Sequence, residues 1–172
     1  MKRSKANPTA LDVAKFFLEM CDVENAGDTI SNLKMQKLVY YAQGVHLALK
    51  GERLFDENIE AWEHGPVVPN LYQELKRFGS REIVLDLEGF DRTVFSLEQQ
   101  SLLKYTYGIY GRYSAFELRN RTHQELPWLR TTRSNTIDDE KIKEYFKEQN
   151  DVSMIEAEIV SDRILDEYSK VA

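Results

Sequence analysis

A long helix is predicted by residues 31–50, which have the sequence SNLKMQKLVYYAQGVHLALK. Ser31 is suited to the N-cap, because its hydroxyl can accept a hydrogen bond from a backbone N–H of the first turn. Gly51 is suited to the position after the helix, because it enters the left-handed region without a Cβ penalty. Apolar or ring side chains recur at helical spacing on two roughly opposite sides: Met35, Leu38, Val39, Ala42, Val45, His46 and Leu49 on one, and Leu33, Tyr40 and Leu47 on the other. A helix that is apolar nearly all round is buried by several neighbours, so we predict that this one is central.

The polar remainder of this helix is narrow and consists of Gln36, Lys37, Gln43 and Gly44. Glycine inside a helix costs about 1 kcal/mol relative to alanine. We therefore expect another element to pass close to Gly44.

Composition indicates an ordinary folded protein with one domain. The chain has 172 residues, 42% of them hydrophobic and 30% charged, which suffices for a real core. No apolar run approaches the roughly 18 residues of a membrane span, so no membrane partner is expected. The N-terminus lacks a secretory pattern, and Cys21 as the one cysteine fits a reducing compartment. We expect a cytoplasmic protein in which Cys21 is a small buried residue.

The net charge of −6 disfavours general nucleic-acid binding, which needs many cations against phosphate. Six acids and two bases lie in residues 150–172, so this segment carries −4 of the −6. A basic partner would be steered toward it. The alternative is a solvated helix face without a partner.

Capping signals and periodicity predict the remaining elements of a mainly α (α+β) fold, with six or seven helices and one small β-hairpin. The predicted helix starts are Thr9 with Asp12, Pro69, Ser96 with Gln99, Ser114 with Glu117, Pro127, Thr136, and Ser153 with Glu156. The hairpin is predicted within residues 52–62, with its turn at residues 56–58. Residues 22–30 are predicted to be a turn-rich link.

Three stretches carry a resemblance to a known family: residues 32–44 (NLKMQKLVYYAQG), 61–69 (AWEHGPVVP) and 122–128 (THQELPW). In this order and spacing they resemble the Panacea domain, also called the SocA-like antitoxin domain. The resemblance covers about residues 9–148. We therefore expect a domain over residues 1–150 and a helical extension, not a separate domain, over residues 151–172.

The resemblance implies a mainly helical antitoxin of a bacterial or phage toxin–antitoxin system, which neutralises its toxin by direct binding and is not an enzyme. The implied partners are a cognate toxin encoded next door and, through an adaptor role, a protease such as ClpXP. No cofactor or metal is implied. The motif residues with a structural or partner-binding role would be Gln36, Lys37, Tyr41, Trp62, His64, Gly65, Pro66, Val67, His123, Pro127 and Trp128. We predict that Trp62, His64 and Trp128 lie together beside the central helix.

Two other functions are weighed against this interpretation. A small hydrolase could use Glu63 and His64 as an acid–base pair, helped by His123 and Glu125. The alternative for these residues is a polar cluster that fixes two turns to the central helix. A DNA-binding autorepressor is a weaker hypothesis, because no recognition helix is evident.

Histidine and arginine patterns leave further alternatives. The histidines His46, His64 and His123 lack zinc-ligand spacing, so a metal site is disfavoured. Five arginines within residues 112–133 could meet phosphate or an acidic partner, or form a partly ion-paired surface. They are Arg112, Arg119, Arg121, Arg130 and Arg133.

The last predicted helix, residues 153–170, has a broad apolar face that includes Ala157, Val160, Ile164 and Tyr168. This face could dock on a partner protein. Alternatively the helix packs on the core of its own domain, with Ile155, Ile159, Ile164 and Leu165 as the buried residues.

Overall fold

The central helix α2, Asn32–Lys50, has the ends that the sequence predicts. Ser31 Oγ accepts a hydrogen bond from the Lys34 backbone N–H at 3.4 Å. Gly51 is left-handed with φ 76°, and its N–H donates to the Leu47 carbonyl at 2.9 Å. Every residue from Lys34 to Leu47 is buried, including the predicted polar face.

The computed structural model describes residues 7–24 and 29–171, which form eight α-helices and one two-stranded sheet. The predicted mainly helical fold with a small hairpin is thus confirmed, and the four-residue α6 brings the helices to eight. The elements besides α2 are α1 (Ala10–Glu24), β1 (Glu60–Trp62), β2 (Gly65–Val67), α3 (Pro69–Leu75), α4 (Leu97–Tyr110), α5 (Ala115–Thr122), α6 (Leu126–Leu129), α7 (Asp139–Lys147) and α8 (Asn150–Val171), with 3-10 turns at Lys76–Phe78 and Arg92–Val94. Within the described ranges, none of these helices is long and apolar enough to cross a membrane. The predicted link at residues 22–30 lies partly outside the described residues.

The helices pack around α2, which contacts α1, α3, α4, α5, α7, α8 and β2. Aromatic rings fill the contact with α4 and α7: Tyr41 stacks on Tyr110 with ring centroids 4.0 Å apart, and Tyr40 meets Phe146 edge-on. The Phe146 ring occupies the space that a Cβ of Gly44 would take. The expected close approach at Gly44 is therefore confirmed.

The hairpin is displaced from its predicted place. β1 and β2 pair antiparallel, with Ala61 opposite Pro66, and the turn is Glu63–His64 rather than residues 56–58. The loop before β1 is held instead by the side chain of Gln43, whose Oε1 accepts from Leu54 N at 2.7 Å and whose Nε2 donates to Phe55 O at 2.9 Å. A buried amide that satisfies the loop backbone removes the need for strand pairing there.

Five predicted helix starts with a capping side chain can be compared with the structure. The capping boxes at Ser96 and Ser114 are both present, as is the reciprocal pair of Thr9 and Asp12. The other two predicted starts are wrong. Thr136 forms a β-bridge with Glu60, so Asp138 caps α7 instead. Ser153 lies inside α8, which already begins at Asn150.

Candidate functional site

The three motifs meet along α2, where side chains of the helix bind the backbone or side chains of the other two. Lys37 Nζ donates to the Pro66 carbonyl at 2.8 Å, and Gln36 Oε1 accepts from the Val68 N–H at 2.9 Å. These bonds tie β2 and the start of α3 to α2. We call this set of contacts the motif cluster. It extends to residues 122–128 through Glu125.

Glu125, the N-cap residue of α6, lies buried against α2. Its carboxyl accepts hydrogen bonds from Tyr41 Oη at 2.6 Å and Tyr40 Oη at 3.1 Å. Burial raises the pKa of Glu125 to about 7, although the two hydroxyls favour the charged form. Burial and the neighbouring Glu125 also raise the pKa values of Tyr40 and Tyr41. The hydroxyls therefore remain protonated donors to this carboxyl.

Lys37 is fully buried, which is unusual for an amine. Burial, reinforced by the positive charge of Arg119, lowers its pKa to about 7. The chain passes this amine at Gly65, which has φ 102°. A Cβ at Gly65 would lie 2.8 Å from Lys37 Cε and 2.7 Å from Thr122 Oγ1. Glycine is thus required here both for backbone conformation and for space.

Trp62 and Trp128 lie together, as predicted. Trp128 Nε1 donates to the Trp62 carbonyl at 2.8 Å. The Trp128 ring stacks on His123 with centroids 4.1 Å apart, and the Arg133 guanidinium lies 3.7 Å from its centroid. The Trp62 ring contacts Tyr72 edge-on at 5.0 Å. The two aromatic residues therefore join the hairpin to the α5–α6 turn.

The two motif histidines lie at the outer edge of the cluster. His64 is exposed, and its Nδ1 accepts a hydrogen bond from Arg119 Nε at 3.3 Å. Burial, followed by the charge of Arg119, lowers the pKa of His123. His123 Nε2 is buried without a hydrogen-bond partner among the described residues. At neutral pH His123 is thus a neutral ring stacked on Trp128.

Most of the motif residues are inaccessible to a partner. The buried ones are Gln36, Lys37, Tyr41, Gly65, Pro66, Val67 and Pro127. Trp62, His123 and Trp128 are half-buried, and only His64 is exposed. The accessible part of the motif cluster is therefore a small surface of two tryptophans and two histidines.

Sequence reasoning missed several members of the cluster. The sequence predicts Tyr40 only as an apolar helix residue and Gln43 only as part of the narrow polar face of that helix. It predicts Glu125 either as a helper to the histidines or as part of a polar cluster that fixes two turns to the central helix, and the contacts of Glu125 with Tyr40 and Tyr41 agree with the second alternative. Arg119 and Arg133 appeared only as basic charge. The signal that pointed to Glu125 was its position within the third motif; nothing in the sequence pairs it with Tyr40.

The positions of Glu63, His64, His123 and Glu125 give little support to the hydrolase hypothesis. His64 and His123 both interact with Arg119, but Glu63 is exposed and Glu125 is bonded to two tyrosines. The cavities along α4 and α8, of about 390 and 410 Å³, are lined by other residues. Within residues 7–24 and 29–171, no group of three or more His, Cys, Asp or Glu side chains is placed to hold a metal ion. His46 lies elsewhere and contacts the Glu52 carbonyl through Nδ1 at 2.8 Å.

Four of the five arginines within residues 112–133 contact other groups of the protein: Arg112, Arg119, Arg121 and Arg133. Arg121 pairs with Asp151 of α8 at 2.5 Å, and its guanidinium lies over the Tyr110 and Tyr113 rings. Arg133 donates to the Trp128 carbonyl at 3.0 Å. These contacts favour the partly ion-paired interpretation over a phosphate-binding surface.

The C-terminal helix α8 is divided between two environments. Val152, Ile155 and Ile159 are buried against the domain. Ile164 and Leu165, expected as core residues in one alternative, are exposed. The partner-helix candidates Ala157, Val160, Ile164 and Tyr168 are all exposed.

Comparison with known proteins gives two matches. Residues 35–129 match the family model described as antitoxin SocA-like, Panacea domain. The antitoxin SocA of Caulobacter vibrioides (strain NA1000 / CB15N) is 44% identical over 55 residues. That stretch is 32% of this chain and 29% of the relative, so it spans less than a third of either protein. No solved structure shows significant similarity.

Proposed function

The chain belongs to the SocA-like Panacea antitoxin domain family, and from this membership we propose that it is an antitoxin that silences a cognate toxin by direct binding. The family match over residues 35–129, more than half of the chain, carries the proposal. The likeness to a protein named antitoxin SocA supports it. The toxin is expected to be the product of an adjacent gene, and both proteins are expected to act in the cytoplasm.

The geometry of the motif cluster fits a binding protein. The polar side chains deepest in the cluster, Lys37, Gln36 and Glu125, all bind groups of the same chain. Such a cluster builds a rigid scaffold and leaves recognition to the outer surface. We therefore propose that toxin neutralisation is occupancy of the toxin, without chemical conversion.

Co-expression tests the antitoxin proposal. The adjacent gene product is induced alone, with this protein, or with an unrelated helical protein of similar size as control. Growth arrest by the product alone and rescue by this protein only are expected. An adjacent product that is harmless, or toxicity that persists in the presence of this protein, contradicts the proposal.

Direct binding and the adaptor role are separated by further measurements on the same strains. A complex of the two proteins on size exclusion, with the toxin's intact mass unchanged, supports binding without conversion. Rescue that depends on ClpXP, together with a shortened toxin half-life, supports the adaptor role for this chain. Rescue without a complex contradicts neutralisation by direct binding.

A further inference from the structure

Helix α8 is fixed to the domain along one side only. Val152, Ile155 and Ile159 are buried at 3%, 1% and 7% exposure. Further along the same side, Tyr105 Oη donates to Asp162 Oδ2 at 2.7 Å, and Arg163 pairs with Glu98 of α4 at 2.6 Å. These contacts determine which face of the helix points away from the domain.

The outward face of α8 carries mostly apolar side chains, with Ser153 and Ser161 among them. Successive residues of an α-helix turn by about 100°, which places the following residues roughly opposite Ile155. They are Ala157, Val160, Ile164, Tyr168 and Val171, with Leu165 beside them. Ile164 is 47% exposed, Leu165 64% and Tyr168 72%. We call these six residues the α8 stripe.

The stripe is bordered by acids. Glu156 and Glu167 lie on one border, one helical turn from Val160 and Ile164, respectively. Glu158 lies on the other border, two turns before Leu165. In the part of the chain that the structure describes, none of these three carboxylates forms an ion pair. By contrast, Asp151 is paired with Arg121 on the docked side. Three carboxylates without an ion pair among the described residues therefore lie beside the exposed apolar surface.

An apolar stripe with acidic borders is complementary to a basic amphipathic helix. Such a helix buries its apolar face against the stripe and places lysines or arginines beside the glutamates. A second copy of this chain fits poorly, because its own α8 segment carries the same charge of −4. Two like-charged borders would face each other across the contact.

We propose that the α8 stripe is the docking surface for a basic amphipathic helix of the toxin, an inference that rests on the proposed antitoxin function for the identity of the partner. The stripe lies outside residues 35–129, the part that matches the family. Apolar contact with Ile164 and Tyr168 holds the partner helix, and the glutamates steer and orient it.

A binding assay on the full chain tests the surface without the toxin. The probe is a fluorescein-labelled helical peptide of leucine and lysine, about 18 residues long to match the length of the stripe. The same peptide with glutamate in place of lysine is the charge control. We expect saturable binding of the lysine peptide, weakened by salt, and no binding of the glutamate peptide.

Matched variants locate the binding. Replacement of Ile164 and Tyr168 by serine is expected to weaken binding of the lysine peptide at least about tenfold. Its control is Val84→Ser with Phe116→Ser, which also removes two exposed apolar side chains, at 69% and 70% exposure. The charge variant is Glu156→Gln, Glu158→Gln and Glu167→Gln, and its control is Glu74→Gln, Glu88→Gln and Glu144→Gln. The charge variant, unlike its control, is expected to show both weaker peptide binding and a smaller salt dependence.

The outcomes separate this inference from the antitoxin proposal. Equal peptide binding by the stripe variant and its control overturns the docking surface. Wild-type dimers that are lost in the Ile164→Ser, Tyr168→Ser variant also overturn it, because the occupant is then a second copy. In the co-expression assay, full neutralisation by that variant overturns the inference while the antitoxin function stands. A harmless adjacent gene product contradicts the antitoxin proposal, and the peptide assay then still tests whether the α8 stripe is a docking surface.

Discussion

Replacement of the buried amine of Lys37 by methionine should change how the stability of the protein depends on pH. The amine donates to the Pro66 carbonyl at 2.8 Å, and burial lowers its pKa from 10.5 to about 7. Methionine keeps a flexible side chain of similar length but carries no charge. The variant leaves the Pro66 carbonyl without its donor at every pH. The comparison therefore rests on pH dependence and not on absolute stability.

The direction of this pH dependence follows from proton binding by Lys37 in the folded and unfolded states. Between pH 7 and 10.5 the unfolded chain keeps the Lys37 proton, whereas the folded protein has lost it. Stability therefore rises with pH in this window, by at most about 1.4 kcal/mol per pH unit. Below pH 7 both states are protonated, and Lys37 contributes no slope. Across the whole window the gain approaches roughly 4–5 kcal/mol, of which about 2–3 kcal/mol falls between pH 7 and 9.

Urea unfolding followed by circular dichroism at pH 6, 7, 8 and 9 measures this effect. The free energy of unfolding of the wild type minus that of Lys37→Met should change by less than about 0.5 kcal/mol from pH 6 to 7 and rise steeply above pH 7. The exposed Lys147→Met variant is the control, and its difference from the wild type should stay flat throughout. A Lys37→Met difference that is also constant from pH 7 to 9 refutes the argument, because the folded amine then titrates like an unburied lysine.

Three further predictions concern other buried features. The free energy of unfolding of the wild type should fall by up to roughly 3 kcal/mol relative to that of Glu125→Gln as pH rises from 4.5 to 7, because the raised pKa of Glu125 favours folding only while the carboxyl is protonated. Urea unfolding at pH 4.5 to 7 measures this difference, and a difference that stays constant contradicts the prediction. Gly44→Ala should destabilise the protein by about 1–3 kcal/mol, because the added methyl group overlaps the Phe146 ring. Gly108→Ala, in open space on α4, should stabilise the protein by up to about 1 kcal/mol. Equal changes in Tm for the two variants would contradict this prediction. Deletion of residues 161–172 should leave a cooperative melt, since the three buried α8 residues remain, whereas deletion from residue 150 onward should lower Tm strongly; similar melts for the two truncations would show that α8 adds nothing to the core.

The central helix was predictable because its signals are local. Ser31 and Gly51 act within one turn of the helix ends, and the burial of α2 follows from apolar residues on two sides. Gly44 was informative because a glycine inside a helix costs stability relative to alanine, which indicates that a neighbouring element needs the space. The capping boxes at Ser96 and Ser114 likewise depend on groups three residues apart.

The hairpin and the buried polar pairs were not predictable, because they depend on groups far apart in the chain. Gly-Pro at residues 65–66 indicates a turn by local rules, yet it belongs to the second strand, where the Pro66 carbonyl accepts a hydrogen bond from Lys37. Thr136 has a good capping side chain but pairs with Glu60. Glu125 pairs with tyrosines more than 80 residues away. No window of the sequence contains both members of these pairs.

The division of α8 shows where motif-based reasoning about function ends. The motifs identify the family, but in the structure they mostly build the scaffold, with Lys37 holding the hairpin and Glu125 holding the α5–α6 turn. Buried residues of this kind constrain the fold and cannot touch a partner. Under the proposed antitoxin function, the surface that recognises the toxin must use exposed residues, and the α8 stripe provides six of them outside the matched region. If the scaffold is shared and the stripe is not, relatives with the same motifs can bind different partners through differences in segments such as α8.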